Sequence, residues 1–152
     1  MFASDGTVDR ARLGKLVFSE KEQLQKLNKI MFPATERRTK EEFKKLEGEG
    51  RKWVVVEAAV LFEARWEGWM DEIWTMVVDP AIAKERLMER NGFTAVDAEG
   101  RIRAQMRNEE RVKKARVVID SSGSKEETAG KIRAAVDDLR MRVQKEHGLD
   151  LT

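Results

Sequence analysis

Three short stretches of the chain are continuously apolar, whereas most other apolar residues recur at helical spacing. They cover residues 53–57, 73–78 and 117–119. Continuous apolar runs, unlike alternating ones, are typical of strands that are buried on both faces, as in parallel sheets covered by helices. We therefore predict three buried strands, the first of which ends on the carboxylate of Glu57.

Helix signals fill the chain before the first predicted strand. Apolar residues at helical spacing begin at Val8, and Ser19 with Glu22 fits a capping box for a second helix. Pro33 is expected to stop or kink that helix, because proline lacks the amide hydrogen that an interior helical turn needs. A charged helix is then expected over about residues 34–47.

The later helices are marked by capping residues at their ends. Small polar or acidic side chains at a helix start accept hydrogen bonds from free backbone amides, and glycine allows the left-handed turn at a helix end. The signals are Asp79-Pro80 with Asn91-Gly92, then Thr94 with Asp97 before a helix to about residue 113, then Ser124 with Glu127.

Strands that alternate with helices in this order predict an α/β fold, with parallel strands joined by right-handed crossovers. The chain has 152 residues, of which 41% are hydrophobic, and this is enough for one domain with one core. We therefore treat residues 1–152 as a single domain.

Composition excludes several classes of function. Charged residues make up 38% of the chain but the net charge is only +2, which argues against a strongly basic nucleic-acid-binding protein. Cysteine is absent, so a disulfide, a thiolate metal site and a thiol nucleophile are excluded. The lone histidine, His147, is expected at a solvated helix end. No apolar run approaches the ~18 residues of a membrane span and no signal peptide is evident, so we expect a soluble, cytoplasmic protein.

Glu57 stands where many α/β proteins bind ligands, since it follows a predicted parallel strand. Glu63 follows six residues later. In phosphoryl-transfer enzymes an acid at such a position often serves a magnesium ion. The alternative is an ordinary N-cap or ion pair, because helix starts favour acids in any protein.

Positive charge is concentrated in one helical pair. Residues 84–116 contain ten Lys or Arg against six Asp or Glu. Arg86 and Arg90 are four residues apart, so they share a helix face. Arginine binds phosphate oxygens with two parallel hydrogen bonds, and such cations could neutralise a transferring phosphoryl group. The alternative is a solvated hairpin whose acids pair with its own arginines.

In their order and spacing these segments resemble the dephospho-coenzyme A kinase family, and are most similar to the kinase domain of the bifunctional eukaryotic coenzyme A synthase. The resemblance covers about residues 1–124. It is carried by Asp5 to Gly14 with Val17-Phe18, Leu27 to Pro33, Glu57 to Ala64, Arg86-Leu87 with Arg90 and Gly92, Arg101 with Gln105-Met106, and Val118-Ile119 with Ser122-Gly123-Ser124.

The resemblance implies a P-loop kinase-like three-layer α/β/α fold with a parallel sheet, in which ATP phosphorylates the 3′-hydroxyl of dephospho-coenzyme A with Mg²⁺. Residues 8–50 would be the helical acceptor-binding region, and 81–113 the lid-like helices. By position, Glu57 would serve the metal or the acceptor, and Arg86 and Arg90 would be catalytic and face the ATP phosphates. Further nucleotide contacts are implied for Gln105, Ser122 and Gly123, and acceptor contacts for Asp5, Arg10, Leu13 and Glu63.

The chain departs from the family pattern where the nucleotide would bind. The family begins with a strand and a Gly-x-x-x-x-Gly-Lys-[Ser/Thr] loop, which these 152 residues do not contain. The next family strand, with its aspartate base, is also missing, and Arg116 and Ser121 replace the usual aspartate and asparagine. We therefore expect a truncated, inactive fragment that lacks the first strand and needs another domain or chain to supply it.

Other functions remain open at this point. A non-catalytic relative could bind coenzyme A or a nucleotide without transferring phosphate, and a different small-molecule kinase could have a similar lid. A basic helical module could instead bind nucleic acid by stacking bases on exposed tryptophans. The candidates are Trp53, Trp66, Trp69 and Trp74, for which core or loop packing is the competing role.

Overall fold

The computed structural model describes residue 2 and residues 4–148; Met1, Ala3 and 149–152 of the predicted single-domain span lie outside the described residues. Two helices come first, and a two-stranded sheet with four further helices follows. The elements are α1 (Arg10–Ser19), α2 (Lys21–Gly48), a 3₁₀ turn (Trp66–Trp69), β1 (Trp74–Val77), α3 (Pro80–Asn91), α4 (Ala95–Arg103), α5 (Asn108–Lys114), β2 (Val117–Asp120) and α6 (Lys125–His147).

The two strands are parallel, as the sequence predicted. The pairing runs in register from Trp74 opposite Val117 to Val77 opposite Asp120. Thr75 and Ile119 lie in the interior at 5% and 4% exposure. Parallel strands require a long crossover, and here α3, α4 and α5 provide it. The α/β class is thereby confirmed.

The prediction of a buried strand at residues 53–57 is wrong. Residues 53–56, the apolar segment, belong to no helix or strand, and Trp53, Val54 and Val55 are 43%, 42% and 75% exposed. Within the described part of the chain, β1 is paired with β2 alone. An apolar run can form a buried strand only when a neighbouring strand satisfies its amide and carbonyl groups.

The caps of α3 and α6 are confirmed. Asp79 accepts a hydrogen bond from the amide of Ala81 at 2.8 Å, and Gly92 ends α3 in the left-handed conformation, with φ of 64°. At the start of α6, Ser124 and Glu127 form both hydrogen bonds of a capping box. These two helices therefore begin and end where local sequence dictates.

Two helix boundaries differ from prediction. Ser19 is the last residue of α1, where its hydroxyl donates to the carbonyl of Leu16, and α2 continues through Pro33 to Gly48. An exposed proline removes one helical hydrogen bond, and the flanking turns evidently compensate for that loss. The predicted helix over 94–113 is divided into α4 and α5. The backbone amide of Met106 in the break donates to Glu63 at 2.7 Å instead of to a helical carbonyl.

The apolar interior is small and lies where the helices meet the connection before β1. Its buried apolar residues are Val17, Phe62, Trp66, Ala98 and Ile119. Trp66 and Trp69 pack with ring centroids 5.6 Å apart, and Phe43 of α2 contacts Trp69 at the same distance. Trp66 is therefore a packing residue, not a surface for stacking bases. None of the described helices is both long and apolar enough to cross a membrane.

Candidate functional site at the ends of the parallel strands

The carboxyl ends of β1 and β2 meet at one edge of the sheet, together with the starts of α3 and α6. We call this region, residues 77–80 and 120–124, the strand-pair edge. Both the amide and the hydroxyl of Ser121 donate to the carbonyl of Val77, at 2.8 and 2.9 Å. The amide of Asp79 donates to the Ser122 hydroxyl at 3.1 Å. Ligands of open α/β sheets bind at this kind of edge.

Arg86 of α3 secures the loop after β2. Its guanidinium donates to the carbonyls of Ser121, Ser122 and Gly123, at 2.7, 3.1 and 2.9 Å. Each of these backbone oxygens would otherwise have to be hydrated. The arginine predicted to face phosphates therefore orders the loop that holds two other predicted nucleotide contacts, Ser122 and Gly123.

Asp120 adds a negative charge at the strand-pair edge. Hydrogen bonds from the hydroxyl and amide of Ser122 hold the pKa of Asp120 below its ordinary value, and the nearby Lys131 lowers it further. The ammonium of Lys131 also donates to the Asp120 carbonyl at 2.8 Å. The carboxylate is thereby kept ionised and tied to α6.

The two predicted acids, Glu57 and Glu63, differ in exposure and in hydrogen bonding. Glu57 is exposed and follows the apolar segment. Glu63 is half-buried and accepts the Met106 amide, so it fixes the connection between α4 and α5. Among the described residues no group of three His, Cys, Asp or Glu could hold a metal ion. Magnesium usually needs only one or two carboxylates when phosphate oxygens and water complete its shell, and Glu57 can fit that limited part.

Three of the four residues that were predicted to contact the acceptor lie in α1 or in the segment just before it. Asp5 accepts hydrogen bonds from the hydroxyl and amide of Thr7, at 2.7 and 2.9 Å, and these bonds lower the pKa of the Asp5 carboxyl. Asp9 caps α1 by accepting from the Arg12 amide at 2.9 Å. Arg10 is exposed at the start of α1, and Leu13 is half-buried one turn later.

Two predicted lid residues lie on the surface. Arg90 donates to the side chain of its neighbour Asn91 at 3.0 Å. Gln105 is exposed just after α4, where its backbone N–H donates to the Ile102 carbonyl at 3.3 Å. The roles assigned to these residues, to the acceptor region and to the lid stay predictions.

Sequence reasoning missed two arrangements near the site. The side-chain amide of Asn108 donates to the carbonyl of Val78 at 3.0 Å, which ties α5 to the end of β1. Arg101 of α4 lies between the rings of Phe18 and Phe93. An asparagine after a helix break is a weak signal, and no local pattern connects Phe18 with residues more than seventy positions away.

Several known proteins are similar to this chain in sequence. Residues 1–127 match the family model described as dephospho-CoA kinase. A dephospho-CoA kinase of Carboxydothermus hydrogenoformans is 45% identical over 87% of the chain and 64% of its own length. A dephospho-CoA kinase of Geobacillus kaustophilus is 42% identical over 82% and 62%, respectively. The chain therefore spans less than two thirds of the length of these curated relatives.

Two solved structures have a similar fold. The crystal structure of TT1252 from Thermus thermophilus superimposes with a TM-score of 0.69 at 32% identity, over 91% of this chain and 71% of that one. A dephospho-CoA kinase from Campylobacter jejuni gives a TM-score of 0.59 over 91% and 68%, and at 23% identity it supports the fold alone.

Proposed function

The chain belongs to the dephospho-CoA kinase family, and from this premise we propose that it forms the acceptor-binding and lid part of an ATP-dependent kinase. The enzyme would phosphorylate the 3′-hydroxyl of dephospho-coenzyme A. The observation that carries the proposal is the family match over residues 1–127, which includes both α1 and the strand-pair edge. We further propose that it acts in the cytoplasm, where ATP is plentiful, and that nucleic acid is not its partner.

The lid would act through fixed positive charge. Transfer of a phosphoryl group places negative charge on oxygens that pre-placed cations stabilise, and closure of a lid excludes competing water. Among the described residues the side chain of Arg90 bonds only to that of its neighbour Asn91, so it can turn toward phosphate oxygens. Arg86 would position the loop of Ser122 and Gly123, and Gln105 would add an uncharged contact.

The acceptor would bind along α1 and the segment before it. The proposed contacts there are Asp5, in a turn that is already ordered, with Arg10 and Leu13 of α1. Glu63, which holds the connection between α4 and α5, is proposed as a further contact. Magnesium would supply charge neutralisation between the nucleotide phosphates. Glu57 would contribute one carboxylate, or a contact with the acceptor.

A nucleotide loop must come from elsewhere, because these 152 residues contain no Gly-x-x-x-x-Gly-Lys-[Ser/Thr] sequence. We propose that a strand carrying this loop, from another segment or another chain, pairs with the apolar segment. Support comes from its exposed side chains and from backbone groups without a strand partner among the described residues. Pairing would bury the tryptophan and valines and would satisfy those groups.

The test combines binding with complementation. Calorimetry should show that the chain binds dephospho-coenzyme A, whereas ATP binding and turnover should be absent. Fusion of a family segment that carries both the phosphate-loop strand and the next strand with its aspartate base should produce turnover of dephospho-coenzyme A with ATP and Mg²⁺. The matched control is the same fusion with the loop lysine replaced by alanine, which should bind acceptor without turnover.

Two results would count against the proposal. Failure of both acceptor binding and complementation would reject the kinase assignment for this chain. Acceptor binding with a folded but inactive fusion would favour a non-catalytic relative that binds coenzyme A, a reading that the missing loop also supports.

A further inference from the structure

Arg101 of α4 is held between two aromatic rings. Its guanidinium carbon lies 4.3 Å from the ring centroid of Phe18 on α1 and 4.2 Å from that of Phe93, just before α4. A cation over an aromatic face is attracted by the negative charge of the π-system. Contacts with two rings fix the position of the guanidinium while leaving its N–H groups at the rim.

Those N–H groups have no partner in the part of the chain that the structure describes. Across residue 2 and residues 4–148, Arg101 forms neither a hydrogen bond nor an ion pair, although its side chain is half-buried. Its neighbour Arg103 differs, since it lies 3.5 Å from the Glu99 carboxylate. Arginine usually satisfies its donors when it is partly removed from water. A fixed guanidinium with open donors is suited to an oxyanion, which it can bind with two parallel hydrogen bonds.

Arg101 approaches α1 closely at Gly14. A Cβ atom built on Gly14 would lie 3.5 Å from an Arg101 nitrogen, which is van der Waals contact. Arg10, Gly14 and Phe18 are four residues apart and share one face of α1. Arg10 therefore lies one turn before Gly14, about 6 Å along the axis of α1.

The charge around this seam is positive. The ten residues of α1 contain Arg10, Arg12 and Lys15 and no Asp or Glu. In the described part of the chain none of these three side chains forms an ion pair. Arg10 and Arg101 are thus two guanidinium groups that form no ion pair among the described residues.

We propose that Arg101, together with Arg10, forms an oxyanion site for the diphosphate of the acceptor at the seam between α1 and α4. This inference rests on the proposed function, and it adds a specific residue and a specific part of the substrate. Arg101 binds the diphosphate directly, while Phe18 and Phe93 hold its guanidinium in place beside α1.

The test is calorimetric titration of the chain with dephospho-coenzyme A, inorganic pyrophosphate, ATP and pantetheine, which has no phosphate. Arg101→Gln should weaken binding of dephospho-coenzyme A and pyrophosphate about tenfold or more, as expected for losing a charged hydrogen-bonding group. Arg101→Lys keeps the charge without the planar fork and should give a smaller loss. Arg103→Gln removes the same charge two residues away and should change neither affinity by more than about twofold, within the range of a surface contact.

Because Arg101→Gln could loosen α1, circular dichroism should confirm that each variant is folded, and Arg10→Gln provides a second variant that leaves the rings in contact. Equal affinities of Arg101→Gln and Arg103→Gln for pyrophosphate would overturn the proposal. Loss confined to ATP would reject the acceptor as the ligand, and it would also contradict the expectation that this chain alone does not bind ATP. Arg101-dependent binding of pyrophosphate without binding of dephospho-coenzyme A would reject the acceptor as ligand and the proposed function with it, while the oxyanion site would stand.

Discussion

The strand pair and the apolar segment have similar sequences, but only the strand pair contributes buried residues, Thr75 and Ile119, beside the exposed Met76 and Val118. Ile119 in β2 is 4% exposed, whereas Val55 in the apolar segment is 75% exposed. Both lie in continuous apolar runs, and both runs precede an acid, Asp120 in one and Glu57 in the other. Each strand of the pair hydrogen-bonds to the other along one edge, and helices α3 and α6 are anchored to its ends.

The difference shows that burial here follows hydrogen-bond pairing and not apolar composition alone. A strand edge placed in the interior without a partner would leave several amides and carbonyls unsatisfied, at about 1–3 kcal/mol each. Hydrophobic burial of a valine contributes about 1.5–3 kcal/mol. Leaving the apolar segment at the surface is therefore the less costly arrangement until a neighbouring strand is provided.

The largest expected effect tests this comparison directly. Ile119→Ala should destabilise the fold by about 3 kcal/mol, because it removes buried methyl groups and leaves a cavity. Val55→Ala is the matched change in the apolar segment and should alter stability by no more than about 0.5 kcal/mol. Urea denaturation followed by circular dichroism would measure both.

Equal destabilisation by the two substitutions would mean that the apolar segment is buried in solution, which would contradict the difference between it and the strand pair. Val55→Ala should instead become destabilising in the fusion that supplies a family strand. In that protein Val55 should have moved from solvent into the sheet.

Local chemistry made one part of the fold predictable. The start of α3 at Asp79-Pro80 and the capping box of Ser124 and Glu127 depend on residues within four positions of each other. Runs 73–78 and 117–119 were correctly recognised as strands because each finds the other as a parallel neighbour. Residues 53–57 carry the same local signal, but their state depends on a partner that the local sequence cannot specify.

The candidate site was predictable only in outline. The position of the strand-pair edge follows from the α/β order, and Ser122 and Gly123 lie there as expected. The bonds from Arg86 to three carbonyls could not be foreseen, because they join α3 to a loop 35 to 37 residues away. The rings that hold Arg101 come from two separate parts of the chain, which only the folded structure brings together.

A second prediction concerns the other end of the strand pair. Glu72, just before β1, accepts two hydrogen bonds from Arg142 of α6, at 2.8 and 2.9 Å, and one from the Trp74 indole at 2.6 Å. Glu72→Gln should destabilise the fold by about 2 kcal/mol at neutral pH, since it removes a charged acceptor. The exposed Glu85 of α3 offers a control, and Glu85→Gln should have little effect.

The same contacts predict a dependence on pH. Hydrogen bonds from Arg142, and then from Trp74, hold the pKa of Glu72 below its ordinary value. The contribution of Glu72 to the free energy of unfolding should be complete above the pKa of glutamate in the unfolded chain, about 4.3. It should decline as the pH falls through the lower pKa that Glu72 has in the folded protein. The stability difference between the unsubstituted protein and Glu72→Gln should therefore shrink in acid. A difference that stays constant to the lowest pH at which the protein folds would contradict this role of Glu72.

The smallest expected effect on stability is at Arg86, which holds the loop of the strand-pair edge at the candidate site. Arg86→Lys keeps the positive charge but cannot hold three carbonyls with one ammonium group, so we expect a loss of about 1 kcal/mol. Arg90→Lys, on the same face of α3, changes only a contact with Asn91 and should be nearly neutral. Hydrogen exchange should show faster exchange at residues 121–124 in Arg86→Lys alone, because that loop loses its anchor. If the two variants exchange alike, the loop is ordered by the capping box of α6 and by Ser121, and Arg86 is free to serve phosphate as the family resemblance implies.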